Sequence, residues 1–194
     1  MRGVLILKMQ PALFLDRDGV INVDHGYVCQ ARDFDFIDGV FDVARAARCL
    51  GYKLVVVTNQ AGIARGYYSE MQFHKLTSWM CKRFEEEQAP INRVYFSPYH
   101  PTAGIGRYKR DHASRKPQPG MLVQAQRELR IDLARSILIG DKLTDIQAGT
   151  AAGVGRNLLL QAYDDYADLG AGCVRIGALR DALPFLDSGH LGDS

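Results

Sequence analysis

The fold is decided by Phe14-Leu15-Asp16-Arg17-Asp18-Gly19, where an apolar run passes directly into acidic residues. Apolar residues at 12–15 followed by a polar turn are typical of a buried strand that reaches its carboxyl end. Because residues i and i+2 of an extended chain point the same way, we expect Asp16 and Asp18 to project together, with Gly19 letting the chain turn away. Two negative charges at such a short separation repel each other unless a cation or a shared proton lies between them. The stretch therefore predicts a carboxylate pair built around Mg2+, with one member free to attack an electrophile.

Composition places the chain among ordinary globular proteins. Of its 194 residues, 47% are hydrophobic and 24% charged, so we expect one domain over 1–194, with 1–9 as an N-terminal extension. A net charge of +2 gives no general attraction to nucleic acid or to a membrane. No segment is long enough to span a bilayer, and the start lacks a signal-peptide core. We expect a soluble, cytoplasmic monomer with no nucleic-acid or membrane partner.

The cysteines are widely spaced and contain no C-x-x-C pair. This spacing argues against a cysteine-built zinc cluster and against a disulfide framework, and it fits a reducing cytosol. The residues concerned are Cys29, Cys49, Cys81 and Cys173.

Strand and helix patterns alternate along the rest of the chain. Buried strands are predicted at 54–57 and 136–139, and shorter strands at 94–96 and 156–160. Helical spacing follows 40, 69, 121 and 146, where the second helix begins with a capping box formed by Ser69 and Gln72. The tail alternates at Val174 and Ile176 and then predicts a short helix at 179–185. This alternation predicts an α/β fold with three layers: a Rossmann-like central parallel sheet with helices on both faces.

Polar side chains follow three of these strands, at Asp16 and Asp18, at Thr58-Asn59, and at Asp141. Parallel sheets bind ligands in the crevice beyond the carboxyl ends of their strands. A carboxylate there can take up a phosphoryl group, while the hydroxyl of Thr58 and a lysine, Lys116, on the basic loop 97–119 hold its oxygens. The converging groups therefore predict phosphoryl-transfer chemistry, with Asp18 as the proton donor to the leaving group.

Four motifs in chain order resemble the haloacid dehalogenase superfamily of phosphatases. They are Asp16-Arg17-Asp18-Gly19, Val57-Thr58-Asn59-Gln60, Arg115-Lys116-Pro117 and Gly140-Asp141-Lys142-x-x-Asp145. Longer signatures at 21–28, 58–66 and 115–121 are most similar to members that remove the C7 phosphate of D-glycero-D-manno-heptose 1,7-bisphosphate, in the supply of heptose for lipopolysaccharide. The match covers about residues 11–160. It implies a minimal cap made of loop insertions only.

The resemblance also implies a role for each matching residue. Asp16 would be the nucleophile and Asp18 the acid and base, and Thr58 and Lys116 would stabilise the phosphoryl group. Mg2+ would be held by Asp16, the backbone carbonyl of Asp18, and Asp141. The sugar bisphosphate would contact Asp24, His25, Gly26, Tyr27, Asn59, Gln60, Ala61, Arg115 and Lys142. For Asp145 we expect only a supporting contact to Lys142.

One part of the family pattern is missing. The superfamily members that this chain resembles hold zinc in the loop before Arg115 with a C-x-H…C-x-C set. The matching residues here are Ser97, Tyr99, His112 and Ser114, and hydroxyl groups are poor zinc ligands beside thiolate and imidazole. We therefore predict no zinc, with the loop held by packing and hydrogen bonds.

Three other functions compete with the heptose-bisphosphate activity. A histidinol-phosphate phosphatase would use the same machinery, but its substrate is cationic at the non-reacting end and suits the basic loop less well. Removal of a 3′-phosphate from DNA is disfavoured, because the sequence has no extended basic stripe or stacking platform. A non-catalytic sugar-phosphate binder would have no need of both Asp16 and Asp18.

Overall fold

A single parallel sheet organises the chain. The computed structural model describes residues 9–161 and 172–187, so residues 1–8 of the expected N-terminal extension lie outside the described residues. The strands are β1 (Ala12–Leu15), β2 (Lys53–Asn59), β3 (Arg93–Ser97), β4 (Ile137–Gly140), β5 (Arg156–Leu160) and β6 (Cys173–Ile176). They pair in parallel in the order β3-β2-β1-β4-β5-β6. The predicted parallel α/β sheet is therefore confirmed.

Helices connect the strands. They are α1 (Val40–Cys49), α2 (Ala61–Ala64), α3 (Glu70–Glu86), α4 (Gly120–Leu129), α5 (Leu143–Ala152) and α6 (Leu183–Asp187). The predicted capping box of Ser69 and Gln72 starts α3. Helix α5 begins at Leu143, earlier than the apolar spacing indicated, because the Asp145 carboxylate accepts the backbone N–H of Lys142 and caps the first turn. The predicted tail helix opens as a 3-10 turn, Leu179–Ala182, before α6.

The core has two layers, one on each face of the sheet. Alternate residues of β1 point to opposite faces, so Leu13 and Leu15 join one cluster and Phe14 the other. The first cluster contains side chains of α1 and α3, such as Val43 and Met80, and the second contains side chains of α4 and α5, such as Leu122 and Ile146. Burial on both faces explains why the central strands are continuous apolar runs.

The strand order changes direction beside β1. Chain connections run outward to β2 and β3 on one side of β1 and to β4, β5 and β6 on the other. At such a reversal the loops leave in opposite directions and open a crevice at the carboxyl ends of the strands. Asp16, Thr58 and Asp141 lie at or directly after the ends of β1, β2 and β4. The fold thus brings together the three polar ends that the sequence predicted.

Within the described ranges, no helix has the length and apolar character needed to cross a bilayer.

Candidate active site

An open pocket of about 340 Å³ lies at the carboxyl ends of β1, β2 and β4. Its walls combine carboxylates, a buried ammonium group, hydroxyl groups and amides, supplied by strand ends and by the loops and helices that follow them. It is lined by Asp16, Asp18, Asp24, Gly26, Tyr27, Thr58, Asn59, Gln60, Ala61, Tyr68, Lys116, Lys142, Thr144 and Asp145.

Asp16 is fixed by the end of β1. Its backbone N–H donates to the carbonyl of Ile139 on β4 at 3.0 Å, which continues the sheet pairing up to the site. Its Oδ1 accepts the N–H of Arg17 at 2.7 Å and lies 3.0 Å from Nζ of Lys116. Burial raises the pKa of Asp16, and the Lys116 ammonium opposes that effect. Both of these contacts go to Oδ1, so within the part of the chain that the structure describes Oδ2 is the oxygen left to meet a ligand.

Lys116 is the buried cation of the site. Its Nζ lies 2.5 Å from Oδ1 of Asp145 and donates to the carbonyl of Val57 at 2.8 Å, in addition to its contact with Asp16. Burial alone would lower the pKa of Lys116, but the charges of Asp16 and Asp145 outweigh it and raise the pKa. The amide of Asn59 holds the backbone of Lys116 from both sides, accepting its N–H and donating to its carbonyl, each at 3.0 Å. The long loop is thereby anchored to the end of β2.

Asp18 is held by donors on both oxygens. Its Oδ1 accepts Nε and Nη2 of the buried Arg17 at 3.2 and 2.8 Å, and Nδ2 of Asn22 at 3.1 Å. Its Oδ2 accepts Nε2 of Gln60 at 3.0 Å. Gly19, at φ +90°, turns the chain as predicted, and a Cβ there would lie 2.3 Å from Oδ2 of Asp141.

Three carboxylates meet closely enough to share a cation. Asp16, Asp141 and Asp145 each offer an oxygen within 4.8 Å of the others. Oδ1 of Asp141 is buried and has no hydrogen-bond partner among the described residues, and burial with the nearby charge of Asp16 raises the pKa of Asp141 to about 6. With Lys116 included, three carboxylates and one ammonium leave a net charge of −2. An oxygen-only donor set with that charge fits a hard divalent cation such as Mg2+.

Comparisons with known proteins agree on the family. Residues 113–171 match the HAD-hydrolase-like family model. The chain is 54% identical over 175 residues to the D-glycero-alpha-D-manno-heptose-1,7-bisphosphate 7-phosphatase of Burkholderia mallei, covering 90% of this chain and 93% of that protein. The chain belongs to the HAD-like phosphatases. That identification confirms the resemblance drawn from the motifs.

Two further matches support the same family. The D-glycero-beta-D-manno-heptose-1,7-bisphosphate 7-phosphatase of Vibrio cholerae is 46% identical over 179 residues, covering 91% of this chain and 96% of that protein. A crystal structure of D,D-heptose 1.7-bisphosphate phosphatase from B. bronchiseptica, complexed with magnesium and phosphate, superposes with a TM-score of 0.78 at 25% identity, covering 92% and 98% of the two chains.

Most of the residues that the sequence singled out in this HAD-like phosphatase lie together. Two predicted substrate residues are outside the pocket lining. Nε2 of His25 lies 2.8 Å from Oδ2 of Asp35. His25 lines a neighbouring cavity of about 470 Å³ instead. Arg115 turns its Nη1 to the carbonyl of Tyr99 at 3.0 Å. Asp141 is not among the lining residues either, but it belongs to the carboxylate group described above.

Lys142 and Asp24 close one side of the pocket. Nζ of Lys142 lies 3.2 Å from Oδ2 of Asp24 and 3.4 Å from Oδ2 of Asp141. Burial alone would raise the pKa of Asp24, but hydrogen bonds from Gly26 and Lys142 lower it. Burial alone would lower the pKa of Lys142, but the charges of Asp141 and Asp24 raise it. Both groups of this pair therefore stay charged.

Sequence reasoning missed three features of the lining. Asp145 was expected only to support Lys142, and it does accept that backbone N–H at 3.0 Å, but it also pairs with Lys116. The contact with Lys142 could be predicted locally, because Asp145 stands at a helix-capping position. The contact with Lys116 joins distant parts of the chain, so no local pattern in the sequence predicts it. Tyr68 and Thr144 were not predicted at all.

The four residues at the family's zinc positions form a compact cluster. Oγ of Ser114 donates to Oγ of Ser97 at 3.0 Å and lies 2.7 Å from Nδ1 of His112. The ring of His112 stacks on Tyr99 with centroids 4.1 Å apart. Packing and hydrogen bonds thus hold this part of the loop, as expected. The absence of zinc stays a prediction.

Proposed function

We propose that the chain hydrolyses the C7 phosphate of D-glycero-D-manno-heptose 1,7-bisphosphate to heptose 1-phosphate and inorganic phosphate. The observation that carries the proposal is the Asp16 carboxylate, which lines an open pocket with Lys116 at its side and with Oδ2 unpaired among the described residues. The names of the relatives from B. mallei and V. cholerae support the choice of substrate.

In the first step Oδ2 of Asp16 forms a bond to phosphorus while the bond from phosphorus to the C7 oxygen breaks. Asp18 gives a proton to that oxygen, so the sugar leaves as an alcohol. The hydroxyl of Thr58, which accepts a hydrogen bond from Gln60 at 2.8 Å, can direct its own proton to the phosphoryl oxygens. The Lys116 ammonium stabilises the charge that spreads over those oxygens.

In the second step water attacks the phosphorus of the aspartyl phosphate. Asp18 takes a proton from this water, and the bond between Asp16 and phosphorus breaks to release phosphate. The contacts that support this double role are the donors to Asp18, which fix its Oδ1 and leave Oδ2 with a single described partner. The same carboxyl group can therefore serve the leaving oxygen and the incoming water.

We assign the metal to Asp16 and Asp141, with the backbone carbonyl of Asp18 as a third ligand. Asp145 belongs to the same carboxylate group, and its contacts with Lys116 and with the N–H of Lys142 favour a supporting role for it. Bound Mg2+ would neutralise charge on the phosphoryl oxygens. The magnesium and phosphate named for the B. bronchiseptica structure support this assignment.

The charge beside the pocket favours a bisphosphate over histidinol phosphate. Burial and the nearby charge of Arg65 lower the pKa of Arg115, and burial with the charges of both arginines lowers the pKa of His100. Nε of Arg65 is buried without a hydrogen-bond partner among the described residues. A second phosphate would relieve this repulsion, whereas the cationic end of histidinol phosphate would add to it.

The proposal also makes residues 1–194 one catalytic domain that works as a cytoplasmic monomer. The single catalytic domain is supported by the pocket lining, because every lining residue belongs to a strand of one sheet or to a loop or helix that follows such a strand.

Steady-state kinetics with Mg2+ test the function. The substrates are both anomers of the heptose bisphosphate and histidinol phosphate, and Asp16→Asn serves as the matched inactive variant. We expect kcat/KM for one heptose anomer to exceed that for histidinol phosphate by at least about 100-fold, because a site built for a polar group rejects a substrate that lacks it. The reverse order would refute the substrate, and a wild type no faster than Asp16→Asn would refute the enzyme.

A further inference from the structure

We propose that Tyr68 and Gln60 are positioning residues that fix the direction of the Asp18 carboxyl group toward the leaving oxygen. The proposal rests on the proposed function, because it assumes that Asp18 protonates that oxygen. Neither residue would touch the reacting atoms. Their part is to hold one oxygen of Asp18 in place.

The polar atoms of the Gln60 side chain all form hydrogen bonds with other residues of the protein. The residue is 1% exposed. Its Nε2 donates to Oδ2 of Asp18 at 3.0 Å and to Oγ1 of Thr58 at 2.8 Å. Its Oε1 accepts the hydroxyl of Tyr68 at 2.5 Å. A primary amide has two donor hydrogens, and both are used here, so the side chain of Gln60 has no free donor for a sugar.

Gln60 controls the oxygen of Asp18 that matters for proton transfer. Oδ1 of Asp18 already accepts three hydrogen bonds, from Arg17 and Asn22. Oδ2 accepts from Gln60 alone among the described residues. The remaining lone pair of Oδ2 is therefore the place where a proton can be carried, and the Gln60 contact sets its direction.

Tyr68 in turn fixes the amide of Gln60. Its side chain lines the pocket but is only 5% exposed, and its hydroxyl donates to the amide oxygen. That donation holds the amide nitrogen toward Asp18 and Thr58. Without the hydroxyl of Tyr68, Oε1 of Gln60 would be buried without a hydrogen bond, and nothing would favour this orientation of the amide over the flipped one.

The ring of Tyr68 reaches this place because residue 62 is glycine. A Cβ on Gly62 would lie 2.2 Å from Cε1 and 2.9 Å from the hydroxyl oxygen of Tyr68. The substitution Gly62→Ala therefore displaces the tyrosine while leaving every polar group of the network in the chain. It perturbs the same contact as Tyr68→Phe by a different route.

The test compares two leaving groups. A sugar alkoxide needs a proton as it leaves, whereas p-nitrophenolate leaves without one because its ring delocalises the charge. Loss of positioning at Asp18 should therefore slow the sugar ester selectively. We expect Tyr68→Phe to lower kcat for the heptose bisphosphate, relative to kcat for p-nitrophenyl phosphate, by about tenfold, a fraction of the 10²–10⁴-fold that general acids contribute. KM for the sugar should stay unchanged.

Tyr95→Phe is the matched control. Tyr95 is also 5% exposed and donates its hydroxyl to Glu128 at 2.8 Å, but it lies outside the pocket. It should leave the ratio between the two substrates unchanged. Gly62→Ala should lower the ratio as Tyr68→Phe does, and it decides the matter if Tyr68→Phe fails to fold.

Equal loss on both substrates, or no loss on either, would overturn the positioning role. Failure of the proposed function looks different. A wild type that cleaves p-nitrophenyl phosphate but not the heptose bisphosphate would refute the substrate. The ratio test would then be made with whichever alkyl phosphate the wild type hydrolyses.

Discussion

The substitution Asn59→Ala should weaken the fold slightly and the reaction strongly. Asn59 makes two hydrogen bonds of 3.0 Å to the backbone of Lys116, whose side chain is buried beside Asp16. The alanine leaves the N–H and the carbonyl of Lys116 unpaired in a place with little access to water. Each unmade hydrogen bond costs about 1 kcal/mol at the low end of the measured range, so we expect a loss of about 2 kcal/mol. For a chain of this size that lowers Tm by about 4–8 °C.

The kinetic effect should be larger because the anchored residue acts on the phosphoryl group. A displacement of about 1 Å at a catalytic group costs about 100-fold in rate, so we expect kcat to fall by about 10- to 100-fold. The assay is kcat on the heptose bisphosphate, measured well below the Tm of the variant. Thermal unfolding followed by circular dichroism supplies the stability.

The other end of the same strand offers the control. The side chain of Asn92 accepts the N–H of Leu54 at 2.8 Å, far from the pocket. Asn92→Ala should therefore cost about 0.5–1 kcal/mol without lowering kcat. If Asn59→Ala lost stability but kept the wild-type kcat, Lys116 would not depend on this anchor and the reasoning would be wrong.

Three further predictions concern metal, packing and pH. Chelation should abolish activity and added Mg2+ should restore it, while metal analysis of the purified protein should find no stoichiometric zinc. Leu122→Ala, which empties a side chain that is 1% exposed, should cost about 2–5 kcal/mol in chemical unfolding. Hydrogen bonds from Arg180 hold the pKa of Asp38 below its ordinary 3.8. That pair stabilises the fold above this pH and stops doing so as the pH falls through the lowered value, so the loss of Tm caused by Arg180→Gln should be largest at pH 7 and should shrink as the pH falls toward 2. An equal loss at both pH values would contradict the pairing.

Local patterns were sufficient to predict the frame of the site. Apolar runs of β1, β2 and β4 end in polar residues, and parallel strands place such ends at one edge. Spacing by two predicted that Asp16 and Asp18 project together as a carboxylate pair around Mg2+, and the structure has both in the pocket lining. These features depend only on neighbours in the chain. The carboxylates that meet closely enough to share a cation are instead those of Asp16, Asp141 and Asp145, because β1 ends at Leu15 and the Asp18 carboxylate is held by Arg17, Asn22 and Gln60.

The rest depended on contacts between distant segments. The pairing of Lys116 with Asp145 joins a loop to a helix. The contact between His25 and Asp35 joins two residues that are ten positions apart in the loop after β1. Neither follows from periodicity, because the direction of each side chain is settled by the hydrogen-bonding partner that the fold brings near. Tyr68 left no signal for a related reason: its place depends on the space beside Gly62.

The hydrogen-bonded cluster at Ser97, His112 and Ser114 has a consequence for how the protein matures. If the predicted absence of zinc holds, every part of this cluster is encoded in the polypeptide, and the loop can assemble at the ribosome without waiting for an ion to be delivered. Cells starved of trace elements should accumulate it with the loop already shaped, whereas a loop built on thiolate ligands would stay unfinished there.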